Sequence, residues 1–319
     1  MSLSETAISS PEQPNTTTNR DEIKITTGFV KISPDTELYY ELRSTQVLQE
    51  TSKVIMIMGA FATLKHFDKQ AQFIVKHFAH SSTPMEVLTY DHRGIGKSLT
   101  TSKVRQTSRM LADDALALID KVWAANEPVH IYGASLGGMV AQELALLLIQ
   151  SNRLRSLYLA VTSRGSFIRP MAILGPSTWS LLMPFLIKKD HERMIRDVLL
   201  PATFSPSALK VSGEQYATLW INEYDQWWAF GNQDACACQC SVTASHYLSN
   251  DKGRLIRDAG IPITVQISLK DALMSSKKQE ELAKLLNAKT VVFDQGHLGD
   301  DDVQKELFQA CIQHLEESN

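Results

Sequence analysis

Cysteine is scarce in this chain, four among 319 residues, and three of the four crowd into Cys236-x-Cys238-x-Cys240. With no Cys-x-x-Cys pair and no paired histidines beside them, they fit neither a disulfide-stapled secreted domain nor a zinc site. A helix over 231–248 would put Cys236 and Cys240 on one face and Cys238 well round the cylinder, so small packing residues are expected there. An excess of positive charge is also missing: 32 Lys and Arg against 35 Asp and Glu leave a net charge of −3, with no footprint for nucleic acid or an anionic membrane. No apolar stretch approaches the ~18 residues of a membrane span, the longest candidate being Trp179 to Ile187. The first twenty residues lack an apolar core and carry Glu5 and Glu12, so they read as a disordered tail and not as a secretory signal or transit peptide. The sequon Asn15-Thr16-Thr17 is then one in name only, the C-terminus carries no lipidation signal, and the cytoplasm is the expected location. Internal repeats are absent.

What is present is the material of a sizeable core, 44% hydrophobic with 21% charged residues, an ordinary globular balance. Two β-rich runs, Glu22 to Ile32 and Glu37 to Leu42, flank the turn Ser33-Pro34-Asp35-Thr36 and predict an antiparallel pair. Short apolar strands then alternate with helices: Lys53 to Met58, a helix from about His66 to Ala79, Glu86 to Asp91, a helix over Thr107 to Ala125, Pro128 to Tyr132, a helix to about Gln150, and Leu154 to Val161. That rhythm predicts a parallel sheet covered on both faces. It stops between Thr162 and Asn250, a stretch with four of the five tryptophans and many prolines, and resumes with Ile261 to Ser268, Lys277 to Leu286, Lys289 to Asp294 and Val303 to Leu315. The expected organisation is a tail over 1–20, a core over 21–162 and 251–319, and an inserted helical cap over 163–250.

Gly133-Ala134-Ser135-Leu136-Gly137 sits at the junction of a strand and a helix. A Gly-x-Ser-x-Gly there is a nucleophile elbow: the turn at Ser135 is so sharp that residues two before and two after must lack bulk, and it lifts the hydroxyl above the sheet edge. The N–H of Leu136 and the helix N-terminus then face the place where an oxyanion would form. Asp271 follows the strand ending at Ser268, and His297 follows the strand ending at Asp294. All three residues lie just past the carboxyl ends of strands, where open α/β sheets place ligands, in the order Ser, Asp, His. A serine hydroxyl is a poor nucleophile until a base takes its proton. Imidazole, titrating near pH 6.5, is suited to that task, and a carboxylate fixes its tautomer.

With Gly133-x-Ser135-x-Gly137-Gly138, Asp91-x-Arg93-Gly94-x-Gly96-x-Ser98, Asp271 and Gly296-His297, the chain resembles the α/β-hydrolase superfamily and its capped esterase-like members, from Glu22 onward. The resemblance implies an α/β-hydrolase fold, mostly parallel, with helices on both faces and an inserted cap. It implies Ser135 as nucleophile, His297 as base, Asp271 as acid, and the backbone N–H groups of Leu136 and Ala60 as oxyanion donors, with Phe61 the alternative to Ala60. Many members carry His-Gly where this chain has Met58-Gly59; backbone donors do not need that histidine. The expected activity is cleavage of a small, largely apolar carboxylic ester without metal or organic cofactor, with Phe61, Trp179 and Trp227 among the substrate walls. Alternatives are a lactone, thioester or C–C substrate, or a low-turnover receptor retaining the triad. The residues say nothing of oligomeric state.

Other polar residues have blander readings. Gly94-Ile95-Gly96-Lys97-Ser98 resembles the end of a phosphate loop, but Asp91 stands where glycine is required. His66 and His92 read as packing or surface residues, His246 as structural, and Asp113-Asp114 as a solvated helix face. Arg164 and Arg169 stand at the cap entrance, where a carboxylate could meet them, though surface arginines are commoner. Asp294 is the alternative triad acid.

Overall fold

The computed structural model describes residues 22–45, 50–102, 104–166, 191–228 and 233–319. The N-terminal tail, Arg169 and Trp179 lie outside the described residues. The chain opens with the antiparallel pair β1 (Ile23–Ser33) and β2 (Thr36–Thr45), joined at the Pro34-Asp35 turn. Then follow β3 (Ser52–Ile57), α1 (Asp68–His77), β4 (Met85–Tyr90), β5 (Leu99–Thr100), α2 (Ser108–Val122), β6 (Val129–Ala134), α3 (Leu136–Gln150) and β7 (Leu154–Ala160). After β7 come α4 (Pro206–Asn222), α5 (Gln233–Ser245) and α6 (Asn250–Arg257), then β8 (Ile263–Ser268), α7 (Ser276–Leu286), β9 (Lys289–Phe293) and α8 (Asp301–Glu316).

Among the described residues these strands form one nine-stranded sheet in the order β1-β2-β4-β3-β6-β7-β8-β9, with β5 also on β2. Pairing is antiparallel at β1–β2 and β2–β4 and parallel from β4 to β9. The inner parallel strands are buried on both faces: Val54 to Ile57 and the whole of β8 are buried, with Thr264, Gln266 and Ser268 among the buried residues, whereas the edge strand β9 is partly exposed. One face packs on α2, α3, α6 and α7 through Leu118, Val140, Leu144, Ile256 and Leu282. The other packs on α1, α8 and the segment between β7 and β8 through Ile74, Val75, Ile312, Phe204 and Trp220. Helix α3 is buried almost all round, the mark of a helix inside the core. It carries Ser135 at its N-terminus.

The described part of the stretch after β7 lies over the carboxyl ends of the strands. Its two ends are clamped together. Arg164 donates to the Leu248 carbonyl at 2.7 Å and to Asn250 at 2.8 Å, so it is a structural pin and not a free anion receptor. His246 lies 2.8 Å from the Ser108 hydroxyl and 3.2 Å from Gln142 Oε1, while Gln142 donates to the Ser163 carbonyl at 3.0 Å. Further in, Thr63 N–H donates to the Trp227 carbonyl at 3.1 Å, and Ala62 pairs with Trp228 as a β-bridge. The Trp227-Trp228 stretch is thereby stitched to the loop after β3.

The structure corrects one pairing expectation. Asp113 is exposed beside Arg109, but Asp114 is buried and holds the Arg93 guanidinium, with Nε at 2.6 Å. The helix expected from His66 opens as a tight 3-10 turn, Leu64–Phe67, capped by the Thr63 hydroxyl. The strand β5 and the helix α6 were not anticipated.

Candidate active site

Ser135 adopts φ 56°, ψ −121°, a backbone region that side chains other than glycine occupy only at a cost of roughly 1–3 kcal/mol. The surroundings hold it there. A Cβ on Gly137 would stand 2.0 Å from the Ile57 carbonyl oxygen, and one on Gly133 would stand 2.6 Å from Ala141 Cβ, so the elbow closes only with glycine at both positions. Ser135 N–H donates to the Ala160 carbonyl at 2.9 Å, and Thr162 donates to the Ser135 carbonyl at 2.7 Å.

Asp271 and His297 come together from the loops after β8 and β9. His297 Nδ1 lies 2.7 Å from Asp271 Oδ2. The other carboxylate oxygen accepts the N–H groups of Leu273 at 2.9 Å and Met274 at 2.8 Å, and Gln279 from α7 donates to Oδ2 at 3.2 Å. Asp271 is thus buried with its lone pairs occupied and oriented on the imidazole. Asp294, the alternative acid, instead pairs with Lys270 at the surface, 2.8 Å away. The His297 loop is tied to the cap, since Leu298 N–H donates to the Thr203 carbonyl at 2.8 Å.

Ser135 and His297 line one cavity of about 110 Å³, small beside the ~300–1,000 Å³ of drug-sized pockets. Ala60, Phe61 and Leu136 line it too, with Met139, Leu199, Trp228 and Met274 among its apolar walls. Phe61 N–H donates to Gln239 Oε1 at 2.6 Å, an engagement that leaves Ala60 as the donor candidate after β3. Trp227 lines a second, larger cavity of about 540 Å³ next door and hydrogen-bonds Glu223 through Nε1 at 2.9 Å; it is Trp228 that faces Ser135.

His66, read from the sequence as packing or surface, lines both cavities. Burial pushes its pKa down to about 4, so the ring is neutral. His92 is buried with Nε2 3.0 Å from the Met58 carbonyl, bracing the start of the loop after β3. Asp91 accepts the N–H groups of Leu64 at 2.8 Å and Lys97 at 2.9 Å; burial holds its pKa up at about 6. The Asp91-to-Ser98 loop is therefore a brace that fixes the turn bearing His66. The buried thiols of Cys236 and Cys311 are pushed up to about 12 and that of Cys240 to about 11, which makes them inert packing groups. Among the described residues no cluster of three or more His, Cys, Asp or Glu is arranged to hold a metal ion, and no helix is long and apolar enough to cross a membrane.

A mostly parallel sheet with a strand–turn–helix elbow and loops at its carboxyl edge defines an α/β-hydrolase fold. Residues 59–310 match the model of the Alpha/beta hydrolase family, and the chain belongs to that family, a hydrolase by fold and by sequence. Solved structures of the same fold include an enol-lactonase and two esterases at low identity. The enol-lactonase from Burkholderia xenovorans LB400 is 18% identical, with 88% of this chain and 97% of that chain covered at a TM-score of 0.68. A thermophilic esterase from Thermogutta terrifontis is 19% identical, with 92% and 99% covered at 0.68. An esterase from Exiguobacterium antarcticum is 16% identical, with 91% and 100% covered at 0.68.

Proposed function

We propose that this hydrolase cleaves a carboxylic ester of a small, largely apolar acid by serine acyl transfer. Ser135 Oγ attacks the ester carbonyl while His297 takes its proton. The tetrahedral oxyanion is held by the backbone N–H groups of Leu136 and Ala60, donors of a kind worth about 10²–10³ in rate each. His297, oriented and charge-stabilised by Asp271, then protonates the leaving alcohol, and water repeats the sequence on the acyl-Ser135 ester. The steps need proton transfer and oxyanion stabilisation, which these side chains and amides supply.

The observation that carries this reading is one cavity lined by a strained serine and by a histidine 2.7 Å from a buried, fully hydrogen-bonded aspartate. The small apolar chamber favours a short acyl group. Residues 163–250 act as a cap, whose described residues Val198, Leu199 and Trp228 supply part of its walls. Four free cysteines suit a reducing compartment, and we place the protein in the cytoplasm. A panel of esters graded in acyl length tests the reading: turnover is expected to peak at short acyl chains and to vanish in Ser135→Ala. Tight ligand binding without turnover by the wild type would instead make the chain a receptor.

A further inference from the structure

The two cavities meet at a shared wall of Met58, His66, Ala134, Val161, His297 and Leu298. Four of those six side chains are apolar, and one is the proposed base. His66 alone remains as a polar group at the junction. Its two ring nitrogens are buried and make no hydrogen bond, and the nearby Thr63 carbonyl opposes the burial effect without reaching hydrogen-bond geometry. Buried polar groups are nearly always paired, because an unpaired one forfeits its solvation. The ring is also held in place: Trp228 meets it edge-on at 4.7 Å between centroids and Trp227 at 4.9 Å, with Trp220 behind at 6.4 Å. A rigid imidazole with one donor and one acceptor thus stands unpaired between two chambers.

The chambers differ in a way that assigns them. Ser135 and Leu136 line the cavity of about 110 Å³ and not the one of about 540 Å³, whereas His297 stands in the wall shared by both. The base must hand its proton to the leaving oxygen, so the alcohol part of an ester leaves Ser135 past His297, toward the large chamber. The small chamber then takes the acyl group and the large one the alcohol.

Resting on the ester-hydrolase reading, we infer that His66 is a specificity-determining residue that hydrogen-bonds an oxygen, hydroxyl or carbonyl, carried by the alcohol part of the substrate. The substrate class is an ester of a short apolar acid with a bulkier, oxygen-bearing alcohol. A site built around such a bond disfavours analogues lacking the oxygen, because the buried nitrogen is then left unpaired.

The test is kcat/KM for phenyl acetate and for ortho-, meta- and para-hydroxyphenyl acetate, each divided by its rate of uncatalysed hydrolysis. The wild type is expected to favour at least one hydroxyphenyl isomer over phenyl acetate by roughly ten-fold, a ratio that falls to about one in His66→Phe. His66→Gln, which keeps a donor and an acceptor, is expected to retain part of the preference. Wild-type turnover of all four acetates without preference overturns the assignment, as does a preference that survives in His66→Phe. If His66→Phe fails to fold, the wild-type ratio and His66→Gln decide. A wild type that hydrolyses none of the acetates and resists fluorophosphonate labelling overturns the ester-hydrolase reading itself, and the assignment with it.

Discussion

Gln239, a buried residue of α5, accepts the backbone N–H of Phe61 at 2.6 Å and so couples the cap to the loop that carries the oxyanion donor candidate Ala60. Phe61 itself sits at φ 63°, a conformation this contact helps to hold. Oxyanion donors work by being in place before charge develops. Gln239→Met is therefore expected to lower kcat by roughly ten-fold with a smaller change in KM, and to cost about 1–3 kcal/mol for the unpaired amide. Steady-state kinetics with a denaturation midpoint checks both. An unchanged kcat in a folded variant would remove Gln239 from the account.

The strain at Ser135 predicts a trade between activity and stability. Ser135→Ala is expected to lower turnover by roughly 10⁴-fold. Ser135→Gly, free to adopt φ 56°, is expected to be equally inactive yet more stable than wild type by on the order of 1 kcal/mol. Thermal melts of the two variants side by side read the difference; a glycine variant less stable than the alanine one contradicts it.

Five buried histidines predict acid sensitivity. Burial pushes His66, His92 and His314 down to about 4 and His130 and His246 down to about 3. His130 and His314 share the Ser156 hydroxyl at 2.8 and 2.9 Å inside the sheet. In the unfolded chain each takes up a proton near pH 6.5, so the unfolded state binds more protons below that pH. Their stabilising neutrality is complete above about pH 6.5 and is lost as pH falls toward 4 and then 3, each removing on the order of 1 kcal/mol per pH unit. Asp91, held up at about 6, and Asp114, also raised by burial, have the opposite sign and gain as pH falls, but they are two groups against five. The urea midpoint is expected to fall between pH 7.5 and pH 5; a midpoint that holds or rises would contradict the burial of these rings.

Cys238 separates packing from chemistry. Its thiol is partly exposed and lies 3.8 Å from the Val104 carbonyl. Cys238→Ser is expected to leave turnover nearly unchanged, whereas Cys236→Ser, which puts a hydroxyl into a fully buried site, is expected to destabilise the fold by about 1–3 kcal/mol. Activity lost with Cys238→Ser would point to chemistry this mechanism does not contain.

Much of this architecture was legible in the chain because parallel strands buried on both faces are rich in apolar and β-branched residues. Ile55 to Ile57 is apolar throughout, and Ile263 to Ile267 keeps three apolar residues around the buried Thr264 and Gln266. Gly133 and Gly137 mark the elbow because nothing larger fits beneath it. His66 was not legible: in Leu64-Lys65-His66-Phe67 it looks like any polar residue of an amphipathic turn, and its partners Trp227 and Trp228 arrive from the cap. Asp114 escaped for the same reason, since only the fold brings Arg93 against it. Gln239 and Phe61 meet across the cap–core boundary, a pairing that no local spacing encodes.

The central claim is that Ser135 is a nucleophile activated by His297. Treatment of the folded protein with a fluorophosphonate, followed by peptide mass mapping, tests it most directly. The account predicts a single phosphonyl adduct on the Ser135 peptide, formed at a rate that drops by roughly 10³-fold or more in His297→Ala. No adduct on the folded wild type, or an adduct at another residue, would contradict it.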